Sequence, residues 1–172
     1  PNVGKSTLVN TLLGEKIAIV SPKPQTTRHR IVGVIHRSDA QIMLLDTPGL
    51  HKPTHALGRQ MVEASKAALD EADIIVVMID ALSGITDEDA RVFDRIKDAQ
   101  RHRKRPVILA INKSDIANKP RILPLMERCI KLKLFSEIIP LSALTGDQLD
   151  VLMQAITPHL PEGPPWYAPH QM

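Results

Sequence analysis

A chain of 172 residues, 43% hydrophobic and 24% charged, can bury one ordinary globular core and still leave a short tail. Its net charge of +3 and pI near 9.2 permit an anionic partner without requiring one, because 22 basic and 19 acidic residues make a mixed surface. The single cysteine, Cys129, excludes an internal disulfide and points to a reducing compartment; no apolar run is long enough to span a membrane and no signal peptide is recognisable, so a cytosolic location is expected.

Residues from about Lys5 to Leu13 are predicted helical, with Leu8, Val9, Leu12 and Leu13 on one face and Gly14 ending the run. SPKPQTTRHR (21–30) has two prolines and no apolar periodicity and reads as a long loop. IVGVIHR (31–37) and QIMLLD (41–46) flank a Ser-Asp turn and read as a hairpin. An amphipathic helix is expected over about 57–70, then a strand (74–79), a helix (87–101), a strand (107–111), a helix (121–132), a strand (137–141) and a helix (147–158). Doubly apolar strands such as VILAI (107–111) belong between two helical layers. The fold class is therefore α/β, a mostly parallel sheet flanked by helices.

PNVGKST (1–7) matches the end of the phosphate-loop pattern G-x-x-x-x-G-K-[ST]. In that pattern Gly4 lets the backbone N–H groups around Val3 and Gly4 face phosphate, and the following helix points its positive end at the anion. Lys5 then reaches the β- and γ-phosphates, the Ser6 hydroxyl ligates Mg²⁺, and Thr7 is placed for the α-phosphate. On its own the stretch also fits a glycine-lysine turn capping a helix.

INKSD (111–115) follows a buried strand, the position where open α/β sheets bind ligands. The Asp115 carboxylate can accept from N1–H and the N2 amine of guanine, whereas adenine offers an acceptor at N1 and no amine at C2. Such a mismatch discriminates by roughly 10⁴ where a buried group goes unpaired. The Lys113 stem can lie along the base, and Asn112 can tie this loop to the phosphate loop. In LSALTG (141–146), Ser142 and the Ala143 N–H can support the guanine edge, with the N–H donating to O6; an ordinary strand-to-helix turn is the alternative.

Asp46 closes a strand, where phosphate-loop hydrolases place a Mg²⁺-side carboxylate, and Gly49 can give its N–H to the γ-phosphate. Thr27, with Thr26 as second choice, is the candidate to close over Mg²⁺ from the loop before the hairpin. Both loops would be ordered by triphosphate and released on hydrolysis. The residue after Gly49 is Leu50, which cannot hydrogen-bond an attacking water; His51 is a rival for that task, and its alternative is an exposed loop histidine. RHRKR (101–105) ends a helix where cations are favoured by the dipole, either solvated or against phosphate. Five of the 14 prolines fall in 158–169, as in a linker, and Trp166 and Tyr167 there can dock on a neighbour or on this domain.

The order of phosphate loop, threonine loop, Asp-x-x-Gly, Asn-Lys-x-Asp and Ser-Ala resembles the Ras-like GTPase core. Residues 1–34 and DTPGLHKPTHALG (46–58) are similar to the Era family of bacterial GTPases of small-ribosomal-subunit assembly, and LPEGPPWY (160–167) is similar to that family's segment leading to a KH RNA-binding domain. The resemblance implies a GTPase domain over 1–160, whose first strand and first phosphate-loop glycine would precede Pro1, and a linker over 161–172 toward a KH domain not in this chain. Without that strand this chain by itself is expected to be unstable. It further implies GTP and GDP as substrate and product, Mg²⁺, 16S rRNA and the small ribosomal subunit as partners of the full protein, and a cytoplasmic monomer with peripheral association at the inner face of the membrane. Relatives with a hydrophobic residue at the Leu50 position use a phosphate-loop asparagine, matched by Asn2, to hold K⁺, which implies a catalytic set of Asn2, Lys5, Thr27 and Gly49. A related GTPase of tRNA modification or of another ribosomal step, or a nucleotide-binding fragment without activity, are the alternatives.

Overall fold

VILAIN is buried at all six positions, and it forms the middle strand of the computed structural model, which describes residues 3–14, 31–45 and 66–167. Strand β3 (Ile75–Asp80), β4 (Val107–Asn112) and β5 (Glu137–Pro140) make a parallel sheet in that order. Strands β1 (Ile31–His36) and β2 (Gln41–Leu45) form a separate antiparallel hairpin, and among the described residues no ladder joins it to the parallel sheet. The strands lie within a residue or two of their expected positions. Of the helix expected over 57–70, only residues 66–71 are described, and they are helical.

Helices cover both faces of the parallel sheet. On one face Phe93 and Ile96 of α2 (Asp87–His102) and Ile122, Leu125 and Cys129 of α3 (Lys119–Lys131) pack on Val77, Ile79, Leu109 and Ile111. On the other, Leu8 of α1 (Lys5–Leu13) and Leu152, Met153 and Ile156 of α4 (Leu149–Ile156) pack on Ile108, Ala110 and Ile139. Successive residues of β4 thus serve opposite cores, which is why the strand carries no polar alternation. Ile42 of the hairpin joins the second core, so burial seats β1–β2 without a shared ladder.

Local chemistry explains where the helix limits moved. α3 starts at Lys119, earlier than expected, because Pro120 stands in its first turn, where no N–H partner is needed. α4 is shorter than expected: Gln148 is left-handed, with φ 61°, and Thr157–His159 continue only as a 3₁₀ turn.

The basic run 101–105 is only partly a solvated surface. Arg105 is buried, and its guanidinium donates to the carbonyls of Leu69 and Ala72 at the end of the 66–71 helix. Arg103 donates to Asp73 at 3.0 Å, and exposed Arg101 pairs with Asp98. The cluster therefore fastens one helix end to the next as well as facing solvent. Cys129 is fully buried, and burial pushes its thiol pKa up, which suits a core residue rather than a nucleophile.

Candidate functional site

Three loops meet at the carboxyl ends of β4 and β5, and one side chain joins them. Asn112, almost fully buried at the end of β4, donates from Nδ2 to the Val3 carbonyl at 2.7 Å. Its Oδ1 accepts the Ala143 N–H at 2.9 Å. The carboxamide thus ties the loop after β4 to both the phosphate-loop segment and the loop after β5. Thr11 adds a second tie between α1 and that last loop, its hydroxyl lying 2.7 Å from the Ala143 carbonyl and 2.8 Å from that of Thr7.

Gly4 is required at this junction. Its φ is 99°, and a Cβ built there would lie 2.2 Å from Asn112 Nδ2. Both the backbone conformation and the space exclude a side chain. Gly4 also serves as N-cap of α1, so among the described residues no side chain caps that helix, and no acidic residue stands in its first turn. By contrast α2 is closed by a complete capping box: Thr86 accepts the Asp89 N–H while the Asp89 carboxylate accepts the Thr86 N–H. With no capping side chain among the described residues, the positive end of α1 suits an anion. Lys5, Ser6 and Thr7 lie exposed in its first turn, a donor set suited to phosphate and to a hard cation.

On the other side of Asn112, Lys113 has a φ of 68°, a left-handed conformation that costs a non-glycine residue about 1–2 kcal/mol. Its carbonyl accepts the Ala117 N–H at 3.1 Å, closing the turn that carries Asp115. The Lys113 ammonium sits 2.5 Å from Asp80 Oδ2, at the end of β3. Burial alone would raise the Asp80 carboxyl pKa; the hydrogen bond and charge of Lys113 and the backbone N–H groups of Leu82 and Ser83 outweigh it and hold the group below its ordinary value. Asp115 itself is exposed, as a carboxylate that must meet a base should be. Beside it, the Ser114 hydroxyl is buried with no hydrogen-bond partner among the described residues, a group that a ligand or water could satisfy.

The loop after β5 differs in detail from expectation. Ser142 is fully buried and its hydroxyl accepts the Thr145 N–H at 3.2 Å, so it shapes the loop from inside. The Ala143 N–H, a candidate donor to guanine O6, donates to Asn112 Oδ1, so a bond to O6 would be shared with that one. The buried Asn112 Oδ1 needs an N–H donor, and the loop after β5 supplies it. Asp80 is the residue that sequence reasoning missed. Its signal was a carboxylate ending a buried apolar run, but its partner lies one strand away. Asn2, Thr26, Thr27, Asp46, Gly49, Leu50 and His51 lie outside the described residues, and among the described residues no cluster of acidic, histidine or cysteine side chains forms a metal site.

The chain as a whole is similar to known proteins. The chain is 43% identical over all 172 residues to the GTPase Era of Staphylococcus haemolyticus, spanning 56% of that protein. Its structure is similar to that of Aquifex aeolicus Era bound to GDP and AlF4⁻, with a TM-score of 0.80 at 44% identity over 98% of this chain and 56% of that one. It is similar also to an Era complex with MgGDPNP and nucleotides 1506–1542 of 16S ribosomal RNA, at a TM-score of 0.82 and 45% identity over all of this chain and 57% of that one. The chain thus spans little more than half the length of these relatives. Residues 1–113, from the phosphate loop through β4 to Lys113, match the family described as 50S ribosome-binding GTPase, and this chain belongs to that family.

Proposed function

We propose that this chain is the GTP-binding and GTP-hydrolysing part of a molecular switch that acts in small-ribosomal-subunit biogenesis. The observation that carries the reading is the pair of hydrogen bonds that Asn112 makes, donating to the Val3 carbonyl and accepting from the Ala143 N–H. It assembles phosphate loop, base-recognition loop and Ser-Ala loop around one site at the carboxyl end of the sheet.

The residues present fit a guanine nucleotide. Val3, Gly4 and the uncapped first turn of α1 hold phosphate, with Lys5 on the β- and γ-phosphates and Thr7 on the α-phosphate. Asn112 fixes the pocket, Lys113 lies along the base, Asp115 accepts from the guanine edge, and Ser142 and Ala143 shape the opposite wall. Ser6, Thr27 and Asp46 would hold Mg²⁺, which when bound offsets the negative charge of the phosphates. Gly49 would sense the γ-phosphate through its N–H.

Leu50 is the reason to look beyond a glutamine-like side chain for water positioning. In this reading backbone groups of the loops around Thr27 and Gly49 would hold the water, and Asn2 would hold K⁺, which when bound would supply the charge that other GTPases take from an arginine. Phosphate release from GTP by the protein as encoded, followed in K⁺ and then in Na⁺, tests this directly. Faster turnover in K⁺ is expected, and equal rates would remove K⁺ from the mechanism while leaving GTP hydrolysis intact.

The small-subunit assignment rests on the Era relatives, which match the whole chain, whereas the family match ends at residue 113. One relative's solved complex contains 16S rRNA, and we infer the same partner for the protein that carries this domain. Residues 161–172 would lead on to its RNA-binding part. A cytoplasmic monomer with peripheral membrane contact completes the proposal.

A further inference from the structure

Asp80 belongs to none of the motifs that mark the nucleotide site, yet it grips the one long side chain of the base-recognition loop. It stands opposite Asn112 in the β3–β4 register, and the next N–H, that of Ala81, donates to the Asn112 carbonyl at 2.9 Å. The backbone leading into Lys113 is therefore fixed from β3. The Asp80 carboxylate is fixed as well, because Oδ1 accepts the Leu82 N–H at 2.7 Å while Oδ2 meets the Lys113 ammonium at 2.5 Å. The Asp80 side chain is 12% exposed and that of Lys113 34%, so the pair is sheltered enough to hold its geometry.

We propose that Asp80 is a positioning residue for the guanine pocket: it anchors the far end of Lys113 so that the methylene stem forms a standing wall for the base before nucleotide arrives. This rests on the reading of 112–115 as the base-recognition loop. A lysine stem that must be ordered at the moment of binding lowers affinity; one already held does not, and release of the nucleotide is correspondingly slow. The bland alternative is that Asp80 only caps the 80–84 turn, where the Gly84 N–H also donates to the Asp80 carbonyl at 2.9 Å. That role would alter stability without acting through Lys113.

A double-mutant cycle on the protein as encoded separates the two, with release of a fluorescent GDP analogue and the thermal midpoint measured for each variant. Asp80→Asn and Asp80→Ser both keep an acceptor for the Leu82 N–H and remove the charge that holds Lys113, so each serves if the other does not fold. Either should speed GDP release about tenfold. In a Lys113→Met background the same change should add less than about twofold. Unchanged release in the Asp80 variants, or equal acceleration in both backgrounds, overturns the proposal. Failure of the underlying base-pocket reading looks different: Asp115→Asn would then leave GDP release unaltered, whatever the Asp80 variants do.

Discussion

The Nδ2 of Asn112 lies 2.7 Å from the carbonyl oxygen of Val3, 109 residues away in sequence, and this one bond places the phosphate loop against the base-recognition loop. A donor is needed on that side of the carboxamide and an acceptor on the other, toward Ala143. Asparagine supplies both in one plane.

Asn112→Asp is therefore expected to fail although it is nearly isosteric. The carboxylate can still accept from Ala143 but turns a lone pair toward the Val3 carbonyl, leaving a half-buried acceptor unpaired and facing a negative charge, at a cost of about 1–3 kcal/mol. Urea unfolding should show that loss, and GDP should protect the variant less than it protects the parent. A variant with the parent's stability and GDP response would show that the bond does not assemble the site.

Arg105 makes the second prediction. Arg105→Met keeps the bulk of the stem and removes the donors to the Leu69 and Ala72 carbonyls, so stability should fall by about 2–3 kcal/mol. Arg101→Ala, which removes only an exposed pair, should cost under about 0.5 kcal/mol. Chemical denaturation of both variants checks the contrast; similar losses would mean that the basic run acts as one surface cluster.

The proline-rich segment is pinned at Trp166 and Tyr167 by a side chain on the hairpin. Gln41 Oε1 accepts the N–H groups of Trp166 and Tyr167 at 2.9 and 3.1 Å, and its Nε2 donates to the Tyr167 carbonyl at 2.8 Å. Trp166 stays 79% exposed, so Gln41 holds that residue through its backbone N–H. Gln41→Ala should raise hydrogen exchange at the Trp166 and Tyr167 amides about tenfold, from loss of bonds worth ~1 kcal/mol each, with little change in global stability. Unchanged exchange would show that Gln41 does not hold the segment.

Much of this was legible in the sequence because it rests on local rules. Apolar runs bounded by turn residues placed β3, β4 and β5, and the sharp change from Ile111 to Asn-Lys-Ser-Asp marked the recognition loop. Asn112 as a tie to the phosphate loop followed from its place at a strand end. What escaped were pairings between elements distant in sequence. The Asp80–Lys113 contact depends on β3–β4 register, and the burial of Arg105 depends on where the 66–71 helix ends, neither of which a one-dimensional pattern encodes. The turn that carries Ser142 and Ala143 after β5 was legible, but the bonds they make to Thr145 and Asn112 were not, because these depend on how the loop packs on Asn112.

The central claim is that Asp115 reads the guanine edge, and a nucleotide competition tests it most directly. Fluorescent GDP bound to the protein as encoded is displaced with GDP, ADP and xanthosine diphosphate, then the series is repeated on Asp115→Asn. Two hydrogen bonds to a charged acceptor, each worth about 1.5–3 kcal/mol, predict that the variant loses GDP by at least about 100-fold and gains xanthosine diphosphate, whose C2 carbonyl accepts from the new amide. Parity between ADP and GDP in the parent, or undiminished GDP binding by Asp115→Asn, would contradict the account.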